Sequence, residues 1–236
     1  SMGHHDEELL AAYLDTGPEM VRYLEEHTAL KMSCENDSSR TEYCADHPGG
    51  KPMGRKIWPD PEVMPPIMEK AEQAHPLLSK VRGEPVKYLI GPRPPWVQGR
   101  ALIGSLVLAC IHRGIKLLTN TRGRELIVQN GRVIGLRAER EGKDFFVRGK
   151  KGVLLATGGF EWNEEMNKRF IYSPPLHAYT APSNEGDGHI MGMEVGAAVA
   201  LMDHSIFQPG VNLPGEVVEG SKPFYRPFIY GYPYMI

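Results

Sequence analysis

The most regular hydrophobic pattern lies between Gly99 and Phe160. The apolar stretch that starts at Arg100 predicts a helix ending at Gly114, because glycine commonly terminates helices. Four small residues within it allow close packing against a neighbour: Ala101, Gly104, Ser105 and Ala109. Farther along, apolar and polar residues alternate on both sides of Asn130-Gly131. This pattern predicts a β-hairpin with a tight turn.

The alternation continues beyond this hairpin, across a second predicted turn at Gly142-Lys143. Period-two alternation is typical of strands with one buried face. The pattern therefore predicts an antiparallel meander of three strands, over Glu125–Gln129, Val133–Glu139 and Asp144–Arg148.

Two short apolar runs, Lys116–Leu118 and Val153–Ala156, flank the meander. Apolar runs without alternation are typical of strands buried on both faces of a parallel sheet, so we expect the two to be parallel neighbours. Thr157, Gly158 and Gly159 then remove side-chain bulk where the second strand should end. Ligands of open α/β sheets bind at that edge, where glycine lets backbone N–H groups approach them. A simple strand end without a ligand explains the same residues equally well.

The sequence before this region is less regular. Residues 6–28 predict two amphipathic helical stretches interrupted at Gly17-Pro18. Residues 29–96 are rich in proline and glycine, and they predict loops with one helix near Glu69–Val81.

A glycine-rich helix is predicted after the meander, from an N-cap at Asp187 to about Met202. Gly188, Gly192 and Gly196 recur every four residues and leave one helix face without side chains. Each glycine costs about 1 kcal/mol relative to alanine in a helix. Close packing on a strand or a flat cofactor nearby would offset that cost.

The composition limits the classes of partner. The chain has 236 residues, 41% of them hydrophobic, and a formal net charge of −2. These values predict a folded protein and argue against a nucleic-acid surface or a polybasic membrane anchor. No apolar run approaches the roughly 20 residues that span a bilayer. Because the 3 cysteines cannot all pair, we expect a reducing compartment and hence a cytoplasmic protein.

Other constellations of reactive residues are weak. Cys34, Cys44 and His47 are of metal-binding types, but a fourth ligand at a suitable spacing is lacking. The glycines of residues 186–192 imitate a dinucleotide fingerprint, yet no strand precedes them and the spacing is one residue too long. The sequence contains no Gly-x-Ser-x-Gly motif and no Walker motif, so no motif indicates a hydrolase or a nucleotidase.

Several motifs of the chain, and the order in which they occur, resemble those of the flavoprotein subunits of the succinate dehydrogenase/fumarate reductase family. They are LLATGGF at residues 154–160, after the hairpin meander, and SNEGDG at residues 183–188, before the glycine-rich helix. Within that family, the segments GGFEWN, LMDHSIFQPGVNLPGE and EYCADHPGGKPMGR resemble those of 3-ketosteroid Δ1-dehydrogenases.

The resemblance implies a mixed α/β (α+β) fold. We expect a partial doubly wound FAD-binding domain with an antiparallel β-meander, and the start of a substrate-cap domain. The expected segments are a helical one at 1–28, a loop-rich one at 29–98, the remainder of the FAD-binding domain at 99–180 and the beginning of the cap at 181–236. The family opens with a strand and a G-x-G-x-x-G turn that are not found here, so the resemblance predicts an internal fragment of a longer flavoenzyme.

The resemblance also implies site residues. The FAD-contacting residues would be Ala156, Thr157, Gly158, Gly159, Asn184, Gly186, Asp187 and, near the adenine, Gly123. Tyr43 corresponds to the active-site tyrosine of the family, and Phe207 and Gln208 would contact the substrate. No metal is expected, and the principal base is expected beyond Ile236.

The implied reaction is 1,2-desaturation of a 3-ketosteroid or a similar apolar ketone. A base takes a proton beside the carbonyl and FAD takes a hydride from the neighbouring carbon. An external acceptor then removes the electrons. FAD binding by this chain alone is expected to be weak or absent, and the chain could form a homo-oligomer or require a second chain that supplies the missing FAD-binding segments. Two alternatives stay open: a fumarate-reductase-like enzyme acting on a dicarboxylate, and a non-catalytic module.

Overall fold

The computed structural model describes residues 6–37, 48, 54–82, 96–171, 178, 180–204, 210–218 and 222–227. The chain divides into two compact units, Ser1–Leu117 and Leu118–Ile236. Across the described residues, no helix has both the length and the apolar character needed to cross a membrane.

The first unit begins with one long helix, α1 (Glu7–His27). The Asp6 side chain caps it by accepting a hydrogen bond of 3.1 Å from the backbone N–H of Leu9. The predicted interruption at Gly17-Pro18 is wrong, because the helix continues through Pro18. A proline ring clashes with the Cβ of the preceding residue, and glycine has none. Gly17 therefore lets the helix tolerate the proline.

The loop-rich prediction for residues 29–96 is only partly correct. Strands β1 (Met32–Asp37) and β2 (Gly54–Pro59) form an antiparallel pair that the sequence did not reveal. Helices α2 (Met64–Ala74) and α3 (Leu77–Arg82) replace the single helix predicted near Glu69–Val81. Two helices form because Pro76, lying between them, cannot donate the backbone hydrogen bond that a continuous helix requires.

Helix α4 (Gln98–His112) closes the core of the first unit and confirms the predicted apolar helix. Three of its small residues, Ala101, Gly104 and Ser105, are buried, and Gly104 lies directly against the Trp96 indole. Gly114 follows at φ +66°, as expected of a glycine that ends a helix. The buried core residues are Leu30, Met64, Met68, Leu78, Trp96, Ala101 and Leu108.

The second unit contains the predicted meander: β3 (Thr121–Gln129), β4 (Arg132–Arg140) and β5 (Lys143–Arg148). The strands pair antiparallel in the order β3-β4-β5. Asn130 and Gly131, at φ 52° and 72°, make the predicted tight turn. The second turn is formed by Glu141 and Gly142, at φ 54° and 73°, one residue earlier than predicted.

The predicted parallel neighbours are not found. Neither Lys116–Leu118 nor Val153–Ala156 forms a strand, and the three sheets among the described residues are all antiparallel. Leu154 is 91% exposed. A parallel strand requires neighbouring strands at its edges and cover on its faces, and no described strand pairs with the apolar run at Val153–Ala156. The fold is mixed α/β with small antiparallel sheets.

Two short helices follow the meander, and a third hairpin follows them. Helix α5 (Glu164–Phe170) begins with two glutamates, and α6 (Asp187–Glu194) is shorter than predicted. Gly186, at φ +83°, takes the N-cap position assigned to Asp187. The helix ends before the expected Met202 because Gly196 adopts φ +88°, a left-handed conformation that helices do not continue through. Strands β6 (Gly210–Val218) and β7 (Lys222–Pro227) pair antiparallel.

Candidate functional site

The second unit brings together the two loops that the sequence singled out, residues 156–160 and 184–188. The N–H of Gly186 donates to the carbonyl of Gly159 at 3.1 Å. The N–H of Gly188 donates to Oγ1 of Thr157, also at 3.1 Å. Because these bonds join residues about thirty positions apart, the two loops form one connected surface.

Gly158 shows why the first loop needs glycine. Its φ is +74°, a region that side chains disfavour. A Cβ at this position would lie 2.6 Å from Oδ1 of Asn184. The Asn184 side chain thus occupies the space beside a bare backbone. Ala156, Thr157 and Gly158 are nevertheless exposed to solvent, so one side of the loop is open to a ligand.

The second loop is held from outside by an arginine on the meander. Nε and Nη2 of Arg122 donate to the two carboxylate oxygens of Asp187, each at 2.6 Å. Nη2 also lies 2.7 Å from the Glu185 carboxylate. The hydrogen bond to Asp187, with the charges of both carboxylates, raises the pKa of Arg122 above its ordinary value. Arg122 therefore stays charged and binds the loop as a fork.

Gly123 lies next to this arginine, where β3 packs against α6. A Cβ on Gly123 would meet Cε of Met191 at 3.3 Å and the side chain of Leu136 at 3.5 Å. The absence of a side chain at Gly123 therefore lets α6 approach the strand. Gly123 therefore lies against α6, the helix that follows the second loop.

Aromatic packing fixes the loops on their helices. The Phe160 ring lies 6.0 Å from that of Phe170 and 5.5 Å from that of His189, both edge to face. Oε2 of Glu161 and Nδ1 of His189 are buried here without a hydrogen-bond partner among the residues that the structure describes. Unpaired buried polar atoms are uncommon, and they often mark a place where a ligand or water completes the site.

Three contributors to this site were missed from the sequence: Arg122, Glu185 and Asn163. Asn163 caps α5 by accepting from the N–H of Met166 at 3.0 Å, and its Nδ2 donates to the Glu185 carbonyl at 2.9 Å. An asparagine before two glutamates is a recognisable N-cap signal. The ion pair of Arg122 had no such signal, because it joins residues 65 positions apart.

The structure thus places eight of the predicted site residues in one region of the second unit: Gly123, Ala156, Thr157, Gly158, Gly159, Asn184, Gly186 and Asp187. Tyr43, Phe207 and Gln208 lie outside the described residues. Cys44 and His47 of the rejected metal set also lie outside. Among the described residues, no cluster of three histidine, cysteine or acidic side chains could hold a metal ion.

The arrangement suits a planar, polar-edged ligand. A backbone stretch with little side-chain bulk borders a loop whose amide and carboxylate groups are already fixed in place. Such an edge lets a flat ring lie against the peptide groups and receive their hydrogen bonds.

Several known proteins are similar to this chain in sequence. The 3-oxosteroid 1-dehydrogenase of Mycobacterium tuberculosis (strain ATCC 25618 / H37Rv) is 33% identical over 246 residues, which cover 89% of this chain and 43% of that protein. The 4-oxocyclohexanecarboxylate 2-dehydrogenase of Sinomonas cyclohexanicum is 29% identical over 93% of the chain and 41% of its own length. The chain therefore spans less than half the length of these relatives.

A solved structure shares the fold. The 3-ketosteroid Δ1-dehydrogenase of Sterolibacterium denitrificans, in complex with 1,4-androstadiene-3,17-dione, matches with a TM-score of 0.70 and 25% identity, over 89% of this chain and 45% of that one. A flavocytochrome c3 fumarate reductase matches with a TM-score of 0.56, 20% identity, and coverage of 84% of this chain and 28% of that one, which shows a shared fold alone. The family model described as "FAD binding domain" matches residues 1–220, and the chain belongs to that family.

Proposed function

We propose that the protein is a flavin-dependent oxidoreductase that desaturates a 3-ketosteroid or a similar flat, apolar ketone between the carbon next to its carbonyl and the following carbon. The observation that carries this proposal is the open backbone edge at residues 156–158, joined to the loop at residues 184–187 by the bonds described above. The 3-oxosteroid 1-dehydrogenase relatives support the choice of substrate class.

Eight residues of the second unit would hold the cofactor. Ala156–Gly159 would lie against FAD, Asn184, Gly186 and Asp187 would approach its ring system, and Gly123 would lie near the adenine. The open edge at Ala156–Gly158 and the side-chain amide of Asn184 beside Gly158 fit such a group. When bound, FAD supplies a hydride acceptor.

The remaining chemistry would come from side chains near the substrate. We assign to Tyr43 a role in assisting removal of the proton beside the ketone. Phe207 and Gln208 would contact the substrate. A steroid nucleus needs apolar walls and a few polar contacts at its carbonyl, whereas a dicarboxylate needs cations. The aromatic and amide side chains in this set favour the ketone.

The architecture of the whole protein is part of the proposal. Residues 1–28 would form a helical segment, and residues 29–98 a loop-rich segment over a doubly wound FAD-binding domain. Residues 99–180 would be the remainder of that domain, with the β-meander, and residues 181–236 would begin a substrate cap. The glycine-rich turn for the pyrophosphate would come from elsewhere in the polypeptide or from a second chain. An external acceptor would then reoxidise the flavin.

Steady-state turnover of the protein expressed from its complete reading frame tests the proposal. We expect oxidation of a 3-ketosteroid with an artificial electron acceptor, and a fall in kcat of about 100-fold in Tyr43→Phe with a smaller change in KM. Tyr13→Phe is the matched control, since Tyr13 is 75% exposed on α1. Fumarate reduction without steroid oxidation would favour the dicarboxylate enzyme. An unchanged kcat in Tyr43→Phe would remove the assigned role of that tyrosine.

A further inference from the structure

Arg122 differs from the other arginines of the meander in what it binds. Arg124 pairs with Glu139, and Arg137 pairs with Glu125 and Asp144, so their bonds stay within β3, β4 and β5. Arg122 instead binds Glu185 and Asp187, which lie in the loop before α6 and in its first turn. Among the arginines of the meander that the structure describes, Arg122 is therefore the one whose ion pairs connect the sheet to that loop.

This connection has a structural consequence for α6. The N-cap residue, Gly186, makes no side-chain hydrogen bond to the first N–H groups of the helix. Glycine also adopts left-handed and right-handed backbone conformations about equally readily, so it does not by itself fix the loop in one conformation. Asp187 begins the helix, where a carboxylate is favourable, yet its oxygens are turned to Arg122 and not to the helix N–H groups. The position of the loop therefore depends on a contact made from β3.

The same loop carries the backbone bonds that join it to the glycine-rich edge. Gly186 donates to the Gly159 carbonyl and Gly188 donates to Thr157 Oγ1, each at 3.1 Å. Releasing Asp187 would loosen both bonds, because they flank it on either side. Asn184, which packs on Gly158, lies at the start of the same loop.

We propose that Arg122 is a positioning residue for the flavin: it fixes the Asn184–Asp187 loop at the distance from residues 156–159 that flavin binding requires. This inference rests on the proposed function. The fork geometry is essential, because two parallel N–H groups fix both the direction and the distance of a carboxylate, which a lysine ammonium does not.

Hydrogen exchange of the chain without flavin provides the first measurement. In Arg122→Gln we expect the Gly186 and Gly188 amides to exchange about tenfold faster, a modest figure because the ion pair is partly exposed to solvent. The Ala138 amide in β4 serves as the internal reference for global unfolding. Arg137→Gln, which also removes an arginine with two carboxylate partners, should leave the loop amides unchanged. Arg122→Lys should behave like Arg122→Gln at the loop, and it is the variant to measure if Arg122→Gln does not fold.

Flavin titration of the protein from its complete reading frame provides the second measurement. We expect the Kd for FAD to rise about tenfold in Arg122→Gln and in Arg122→Lys, but not in Arg137→Gln. Equal exchange rates in Arg122 and Arg137 variants, or flavin bound with wild-type affinity in Arg122→Gln, would overturn the role of Arg122 alone. A wild-type protein that binds no flavin would overturn the proposed function and the placement of flavin by Arg122 together.

Discussion

At Gly158, a left-handed backbone and close packing coincide. The residue adopts φ +74°, and a Cβ there would lie 2.6 Å from Asn184. Gly142 has nearly the same φ, +73°, but nothing within 4 Å of the position a Cβ would occupy. Alanine at Gly142 therefore introduces backbone strain alone, whereas alanine at Gly158 introduces the same strain and also displaces Asn184.

We predict that Gly158→Ala destabilises the second unit more than Gly142→Ala does. Backbone strain alone should cost about 1 kcal/mol in either variant, and the clash with Asn184 should add about another 1 kcal/mol in Gly158→Ala. Urea unfolding followed by the fluorescence of Trp162 measures the difference, because its backbone N–H donates to the carbonyl of Asn184 at 3.0 Å. Equal losses in the two variants would show that Asn184 moves aside freely.

Gly104 shows the same principle in the first unit, inside a helix. A Cβ there would lie 2.5 Å from Cζ3 of Trp96 and 2.8 Å from Cε of Met68. Alanine improves helix propensity by about 1 kcal/mol, but overpacking costs about 1–3 kcal/mol. We therefore predict that Gly104→Ala lowers the free energy of unfolding, as measured by urea unfolding.

The control for this prediction lies on the same helix. Gly99 has nothing within 4 Å of the position that a Cβ would occupy, so Gly99→Ala should be neutral or stabilising. A stabilising effect of Gly104→Ala would contradict the close contact with Trp96. A change in Trp96 fluorescence should accompany the loss of stability, because the indole donates to Glu72 at 3.1 Å.

Among the elements, the two turns of the meander have nearly the same backbone but different sequences. Asn130-Gly131 and Glu141-Gly142 both place two residues at positive φ. Asparagine tolerates this conformation better than glutamate does. We predict that Glu141→Asn stabilises the hairpin of β4 and β5 by about 0.5 kcal/mol.

The reciprocal variant serves as the control. Asn130→Glu should lower stability by a similar amount, because the first turn then carries the less favourable residue. Hydrogen exchange of the β4 amides reports both changes, since β4 pairs with β3 and with β5. Opposite signs support the turn assignment, whereas a loss of stability in Glu141→Asn would show that Glu141 contributes more through its side chain than through its backbone.

These elements also show what a sequence can predict. The meander was predictable because the alternation and the Asn-Gly turn are local signals that act within a few residues. The apolar runs at Lys116–Leu118 and Val153–Ala156 were predicted as parallel strands and form none, since such strands depend on neighbours from distant parts of a chain. The end of α6 was predicted too late, because glycines spaced every four residues predict one continuous helix face, whereas Gly196 terminates the helix.

The residues of the candidate site also divide into those with a local sequence signal and those whose contacts depend on the fold. The glycines of residues 156–159 and 186–188 were found from the sequence because left-handed or crowded backbone leaves few alternatives to glycine. The ion pair of Arg122 with Asp187 depends on how β3 approaches α6, and no spacing along the chain encodes it. A site built from loops can thus be located from sequence, while the contacts that position its loops require the fold.

For the molecule as a whole, the affinity for FAD depends on how many parts of the cofactor this chain contacts. The described loops offer contacts to one part of the cofactor, centred on residues 156–159 and 184–187. Tight binding of a dinucleotide usually also needs a glycine-rich turn and a helix N-terminus that receive the pyrophosphate. No G-x-G-x-x-G sequence occurs in the 236 residues.

We therefore predict that the purified chain binds FAD weakly or not at all. Titration with FAD, followed by flavin fluorescence and by absorbance after gel filtration, measures this. A control with riboflavin, which has no pyrophosphate, should give a Kd within about tenfold of that for FAD, because the missing contacts belong to the phosphates. Purified chain that is yellow with stoichiometric flavin would contradict the prediction. It would mean that the pyrophosphate is held by groups other than a glycine-rich turn, and that the loops at Gly158 and Gly186 are part of a larger cofactor site.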